Sequence, residues 1–117
     1  MIGGELTRRV EQLTAERAPF VVATVVHVQR PASVAPGSVG LVLADGSIEG
    51  FIGGHCAQHS VRLHALEAME AGWPLLLRIL PEGPPEPVRE DGAVTVVNHC
   101  LSGGAIEVFL EPVLPAP

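Results

Sequence analysis

The spacing of apolar positions changes several times along the chain, and each change marks an element. Over residues 5–17, Leu6, Val10 and Leu13 recur at helical spacing with Arg8, Arg9, Glu11 and Glu16 on the other side. This predicts a first helix, stopped by Pro19. Residues 20–28 are apolar and β-branched without alternation, the pattern of a central strand buried on both faces. Residues 29–38, with Pro31 and Pro36-Gly37, read as a loop. Residues 39–43 and 47–52 flank Asp45-Gly46, a strong hairpin signal. Residues 56–71 read as a second helix. Ala57, Val61, Ala65 and Ala68 make its apolar face, widened by Leu66 and Met69. Gly72 is its stop, with Trp73-Pro74 beyond. Residues 75–80 form a short apolar strand. Residues 81–91 hold four prolines and four acidic residues and read as an exposed loop. Residues 93–97 and 105–111 are two more strands, and the tail from 112 to 117 is expected to fray. The order α-β-β-β-α-β-β-β predicts an α+β (or α/β) domain. In it a mixed sheet of about six strands packs with two helices, and one domain spans residues 1–117 with a core from about 5 to 112.

Composition narrows the function classes. An apolar fraction of 47% with 17% charged residues supports a real core and argues against disorder. The formal net charge of −6 argues against non-specific nucleic-acid binding, and 3% aromatics leave no base-stacking platform. No apolar run approaches the roughly 18 residues of a membrane span, and the N-terminus lacks a signal-peptide pattern. A cytoplasmic chain with no nucleic-acid or membrane partner is the expectation. Two cysteines are too few for a disulfide scaffold and fit a reducing compartment.

The chemistry-bearing residues concentrate on two glycine-rich loops. Gly53-Gly54-His55-Cys56 runs into the second helix. Asn98-His99-Cys100-Leu101-Ser102-Gly103-Gly104 runs into the last strand. Glycines before a helix let backbone N–H groups approach an anion such as a phosphate, and they also serve a plain tight turn that needs positive φ. The first loop lacks the Gly-Lys-Ser/Thr of a Walker loop and the third spaced glycine of a dinucleotide fingerprint. Cys56, at a helix N-terminus, is the best thiol candidate: a nucleophile, sulfur carrier or soft-metal ligand, or else a buried small hydrophobe. His59 lies one turn on. With Cys56, His99 and Cys100 it makes a thiol–imidazole set for Zn²⁺ or Cu⁺, although the spacing matches no standard zinc motif. A Cys56–Cys100 disulfide is the other alternative. His27 reads as a hydrogen-bonded core or edge histidine, His64 as a surface residue of the helix, and Glu107 as solvent-facing by strand alternation.

Three segments, in this order and spacing, carry a family resemblance. They are Pro36-Gly37 followed by Leu41-Val42-Leu43-Ala44-Asp45-Gly46-Ser47-Ile48-Glu49-Gly50, then Ile52-Gly53-Gly54-His55-Cys56, then Gly103-Gly104-Ala105-Ile106-Glu107-Val108-Phe109-Leu110-Glu111-Pro112. Together they resemble the N-terminal domain of the XdhC/CoxI family, accessory factors of xanthine dehydrogenase and carbon monoxide dehydrogenase. The resemblance implies a chaperone-like protein that binds the molybdenum cofactor (molybdopterin) and serves the maturation of molybdenum hydroxylases, without turnover of its own. It implies that Gly53, Gly54, His55, Cys56, Ser102, Gly103 and Gly104 line the cofactor site. The chain departs from the family pattern at Val34-Ala35, where a basic pair is usual, at Ser102, where a Cys is usual, and at His55, where a third glycine is common. It also ends before the family's usual C-terminal Rossmann-like domain. Two other readings stand beside this one. One is a small Cys/His metal or redox module. The other is a structural partner of a separate Rossmann-domain chain. The expected partners are a molybdenum hydroxylase subunit or such a chain, within a homo-oligomer.

Overall fold

A computed structural model of the chain describes residues 4–29, 34–50, 55–98 and 104–115, positions 55 and 56 by their backbone alone. Among the described residues are two helices and seven strands. Their order is α1 (Gly4–Ala15), β1 (Phe20–Gln29), β2 (Val39–Leu43), β3 (Ile48–Gly50), α2 (His55–Ala71), β4 (Leu75–Leu80), β5 (Val88–Glu90), β6 (Ala93–Val97) and β7 (Ala105–Val113). The strands form one mixed sheet of order β3-β2-β1-β7-β4-β6-β5. Neighbours are antiparallel except β4 and β6, which are parallel.

This is the α+β class that the pattern predicts, with one strand more than expected. The addition is β5, which lies inside the stretch read as a loop. Its three residues are all exposed and pair with β6 from Val88↔Thr95 to Glu90↔Ala93. A three-residue edge strand with two charges has no hydrophobic period to betray it. The tail is also shorter than expected. β7 continues to Val113 because Pro112 and Val113 pair with Val21 and Phe20.

Strand alternation divides the core between two faces. On one face, Val21, Ala23 and Val25 of β1 join Leu77 and Ile79 of β4 and Val108 and Leu110 of β7. They pack on Ala57, Val61, Ala65 and Ala68 of α2. On the other, Phe20 and Leu41 pack on Leu13 of α1, flanked by Leu6, Val10, Val22 and Leu43. Both helices therefore present the apolar stripes that their periodicity predicts. The Arg9 guanidinium also ties α1 to β3, with Nε donating to Glu49 Oε1 and Oε2 at 3.0 and 3.1 Å.

β1 is central, as its composition predicts, but it is buried only through Val25. The register with β7 shifts between Val25 and His27. The intervening Val26 is 48% exposed, as expected of a bulged residue that leaves the ladder. His27, expected in the core or at an edge, is exposed on a central strand. The bulge ends the buried pattern that a run of apolar residues alone would continue.

The hairpin between β2 and β3 forms at Asp45-Gly46 as predicted. Asp45 Oδ1 accepts hydrogen bonds from the Ser47 N–H at 2.9 Å and the Ser47 hydroxyl at 2.6 Å. These bonds hold the Asp45 carboxyl below its ordinary range. The buried Gly46 has φ +88°, and its carbonyl accepts from Arg62 Nε of α2 at 2.7 Å.

Two substitutions test this packing. Gly50 has φ +96°, and a Cβ there would sit 2.8 Å from the Val39 carbonyl oxygen. Gly50→Ala is expected to cost at least about 2 kcal/mol, combining left-handed strain with a backbone clash. Gly92→Ala, at φ +77° with open space around it, is expected to cost only about 1 kcal/mol. Urea unfolding curves of the two variants would separate them, and equal midpoints would contradict the close approach of β2 to Gly50.

Candidate functional site

Strand directions decide where the two glycine–cysteine loops belong. β1, β3, β4 and β6 run toward one end of the sheet, and β2, β5 and β7 start from it. The strand ends Gln29, Leu80 and Val97 and the strand starts Val88 and Ala105 share that end, while β3 and β2 stop short of it, Gly50 and Val39 being level with Ala23 and Thr24 of β1. α2 follows β3 and leads to the start of β4, so it begins there too. The second loop is thus anchored at that end, and the first leaves β3 heading toward it. Gly50 and Ala105, which flank them, are on strands three spacings apart, roughly 14 Å across the sheet, and the register sets Gly50 level with Ala23 and Ala105 level with Gln29 farther along β1.

Most of the residues expected to line this site lie outside the described residues: Gly53, Gly54, His99, Cys100, Ser102 and Gly103, together with the side chains of His55 and Cys56. The proposed cofactor set and the thiol–imidazole metal set both fall largely on them. Of the described candidates, Gly104 is buried at the root of β7, and His59 is exposed on α2. The start of the second loop is fastened where the Asn98 N–H donates to the Leu80 carbonyl at 2.8 Å. Among the described residues, no three His, Cys, Asp or Glu side chains come together as a metal site.

The electrostatics of this end suit an anion. α2 is 17 residues long and has no acidic residue in its first turn. The positive end of its dipole, about half a charge, therefore meets no carboxylate of its own first turn. A groove of about 620 Å³ adjoins, between α1 and the β2–β3 hairpin, lined by Glu5, Arg9 and Glu49 among others. It is not itself an anion site. Its one cation, Arg9, is already held by both oxygens of Glu49.

A second polar cluster went unforeseen. His64 was expected at the surface but is only 4% exposed. Its Nδ1 lies 3.2 Å from Glu67 Oε1. Glu67 in turn accepts from Arg89 Nη1 and Nη2 of β5, at 3.1 and 2.8 Å. The Arg89 hydrogen bonds hold the Glu67 carboxyl below its ordinary range, assisted by His64 and opposed by partial burial. The signal for burial was present in the sequence. Position 64 falls with 57, 61, 65 and 68 on one side of a helix, so His64 interrupts the apolar stripe rather than facing away from it.

With the geometry in place, comparison with known proteins assigns the family. The family model described as XdhC and CoxI matches residues 13–79, more than half of the chain. The chain belongs to the XdhC and CoxI family. The matched stretch takes in β1 to β4, with Gly53, Gly54 and Cys56 inside it, and stops before the second glycine loop. No curated protein matches the sequence. Among solved structures, the chain is similar to a crystal structure of a xanthine dehydrogenase from Bacillus halodurans, at a TM-score of 0.66 and 24% identity. That similarity, one of fold, covers 91% of this chain and only 30% of the other. In this XdhC and CoxI chain, no helix among the described residues is long and apolar enough to cross a membrane.

The Glu67–Arg89 pair yields a pH test. The folded pKa of Glu67 lies below its ordinary 4.5. Its contribution to stability is therefore present above about pH 4.5 and is lost as pH falls through the folded value. Glu67→Gln is expected to lower the melting temperature near neutral pH, with the deficit shrinking as pH drops toward 3. Thermal melts of both proteins across that range would check it, and a deficit independent of pH would argue against the ion pair.

Proposed function

We propose that this chain is an accessory, chaperone-like factor in molybdenum hydroxylase maturation, and that it binds the molybdenum cofactor or its target enzyme at the loop end of the sheet. The observation that carries this reading is one of direction: β3 runs into the first family glycine loop toward the sheet end where β6 stops and β7 starts, and the helix that follows has no carboxylate in its first turn. The chemistry fits the group. A pterin dithiolene carries a phosphate, which suits the N–H groups of Gly53-Gly54 and the positive end of α2. It also carries a metal bound through sulfur, which suits a thiolate such as that of Cys56. Gly104, buried at the start of β7, supports a close backbone approach from the second loop. In this reading Gly53, Gly54, His55, Cys56, Ser102, Gly103 and Gly104 hold the cofactor. The cofactor supplies the redox centre, and the chain's own residues bind it and shield it.

The chain spans about a third of the Bacillus halodurans protein that it resembles in fold. We place this chain as the cofactor-contacting part of such an architecture, without turnover of its own.

Titration with molybdenum cofactor, followed by its absorbance and by calorimetry, tests the proposal. Binding is expected, and Cys56→Ala is expected to weaken it at least about tenfold by removing a soft donor. Co-elution with a molybdenum hydroxylase subunit is the second readout. Absence of both would remove the reading, and binding that ignores Cys56 would remove the thiol from it.

A further inference from the structure

The opposite end of the sheet carries a different surface. Here α2 ends, β4 begins, and the Asp91-Gly92 turn joins β5 to β6. The Leu76 N–H donates to the Gly92 carbonyl at 2.9 Å and fixes that turn beside β4. Between these segments lies a groove of about 580 Å³, its apolar lining Ala68, Ala71, Trp73, Pro74 and Leu75. Trp73 is 72% exposed and is the chain's single tryptophan. A large apolar ring left in water beside a groove is a usual mark of an interaction site, since tryptophan is enriched among the residues that dominate interfaces.

The charges of the groove indicate what it accepts. Its charged lining is Glu67, Arg89 and Asp91. The Arg89 guanidinium is held by both Glu67 oxygens, at 3.1 and 2.8 Å, so those two cancel. Asp91 has no cationic partner among the described residues. Alongside it is the C-terminal end of α2, whose last turn holds Glu70 and no basic residue. The negative end of the helix dipole therefore adds to the carboxylates instead of being offset. An exposed indole face, a carboxylate and a helix C-terminus each favour a cation, and the first favours a flat or alkyl-bearing one.

We propose that this groove docks a segment of a partner protein in which an arginine or lysine is flanked by an aliphatic residue. The basic group stacks on Trp73 and pairs with Asp91, while its neighbour covers Ala68, Ala71 and Leu75. A small free cation would leave that apolar lining wet, which is why a protein segment fits better. The surface lies at the start of β4, away from the second glycine loop at the other end of that strand and four strands across the sheet from β3.

Selection of a random heptapeptide library against the full chain, followed by titration of the selected synthetic peptides, tests this. Because Trp73 is the sole tryptophan, its emission reports on the groove directly. Selected peptides are expected to share a basic residue beside an aliphatic one and to shift Trp73 emission. Asp91→Asn, read by fluorescence, and Trp73→Ala, read by calorimetry, are each expected to weaken binding at least about tenfold. Leu63→Ser, on the exposed side of α2 and outside the groove, should leave binding unchanged. Both groove positions are exposed, and circular dichroism would confirm that the variants fold. Should Asp91→Asn disturb its turn, Trp73→Ala decides alone. Four outcomes overturn the proposal: no peptide selected, peptides without a basic residue, affinity indifferent to Trp73, or spermine binding as tightly as the peptides. A Trp73 shift produced by protein concentration alone would also overturn it, assigning the groove to a second copy of the chain.

Discussion

The seat of α2 on the sheet governs the rest of the molecule. Ala57, Val61, Ala65 and Ala68 are each at or below 2% exposure. Such small side chains bring the helix close to β1, β7 and β4, and the core between them leaves little freedom to slide. The helix is also fastened on both flanks. Arg62 holds the hairpin that carries one sheet edge, and Glu67 holds β5 at the other. With its position set in this way, the start of α2 stands at the loop end of the sheet and its finish stands beside Trp73.

One helix thereby gives the two ends of the molecule opposite electrostatic character. At its start, directly after Gly53-Gly54 in sequence, a first turn without carboxylates leaves the positive end of the dipole available. At its finish, Glu70 and the absence of basic residues deepen the negative end. The overall charge of −6 conceals this polarity, because a sum over the chain carries no direction. A site for an anionic ligand can exist on an acidic protein when a helix terminus supplies the local field.

Much of this was legible in the sequence, in proportion to how periodic each segment is. The stripe of α2, the hairpin at Asp45-Gly46 and the central place of β1 followed from spacing and turn chemistry. His64 was misread because a titratable side chain was given a surface role despite sitting in the apolar stripe. His27 was misread because a β-bulge, which one extra residue creates through pairing, leaves no trace in a run of valines. β5 was missed since its three residues owe their conformation to β6 and not to their own pattern. For the site, the residue types and the family were readable from the glycine motifs. The direction of both loops toward one end of the sheet was not, because it depends on strand order, and β7 inserts between β1 and β4 although it comes last in the chain. The ion pair of Glu67 with Arg89 was equally hidden, being a contact between residues 22 positions apart.

The sheet's two outermost strands, β3 and β5, are only three residues each. Gly50 at the end of one has a left-handed backbone, and Arg89 and Glu90 make the other mostly charged. Each margin thus presents a ladder of roughly 10 Å, too short and too irregular to template a further strand. A seven-stranded sheet with so much valine and leucine would otherwise invite fibril-like stacking during synthesis in a crowded cell. With lateral growth blocked, assemblies of this protein would form through its faces and ends, and its solubility would owe as much to these blunt margins as to its net charge.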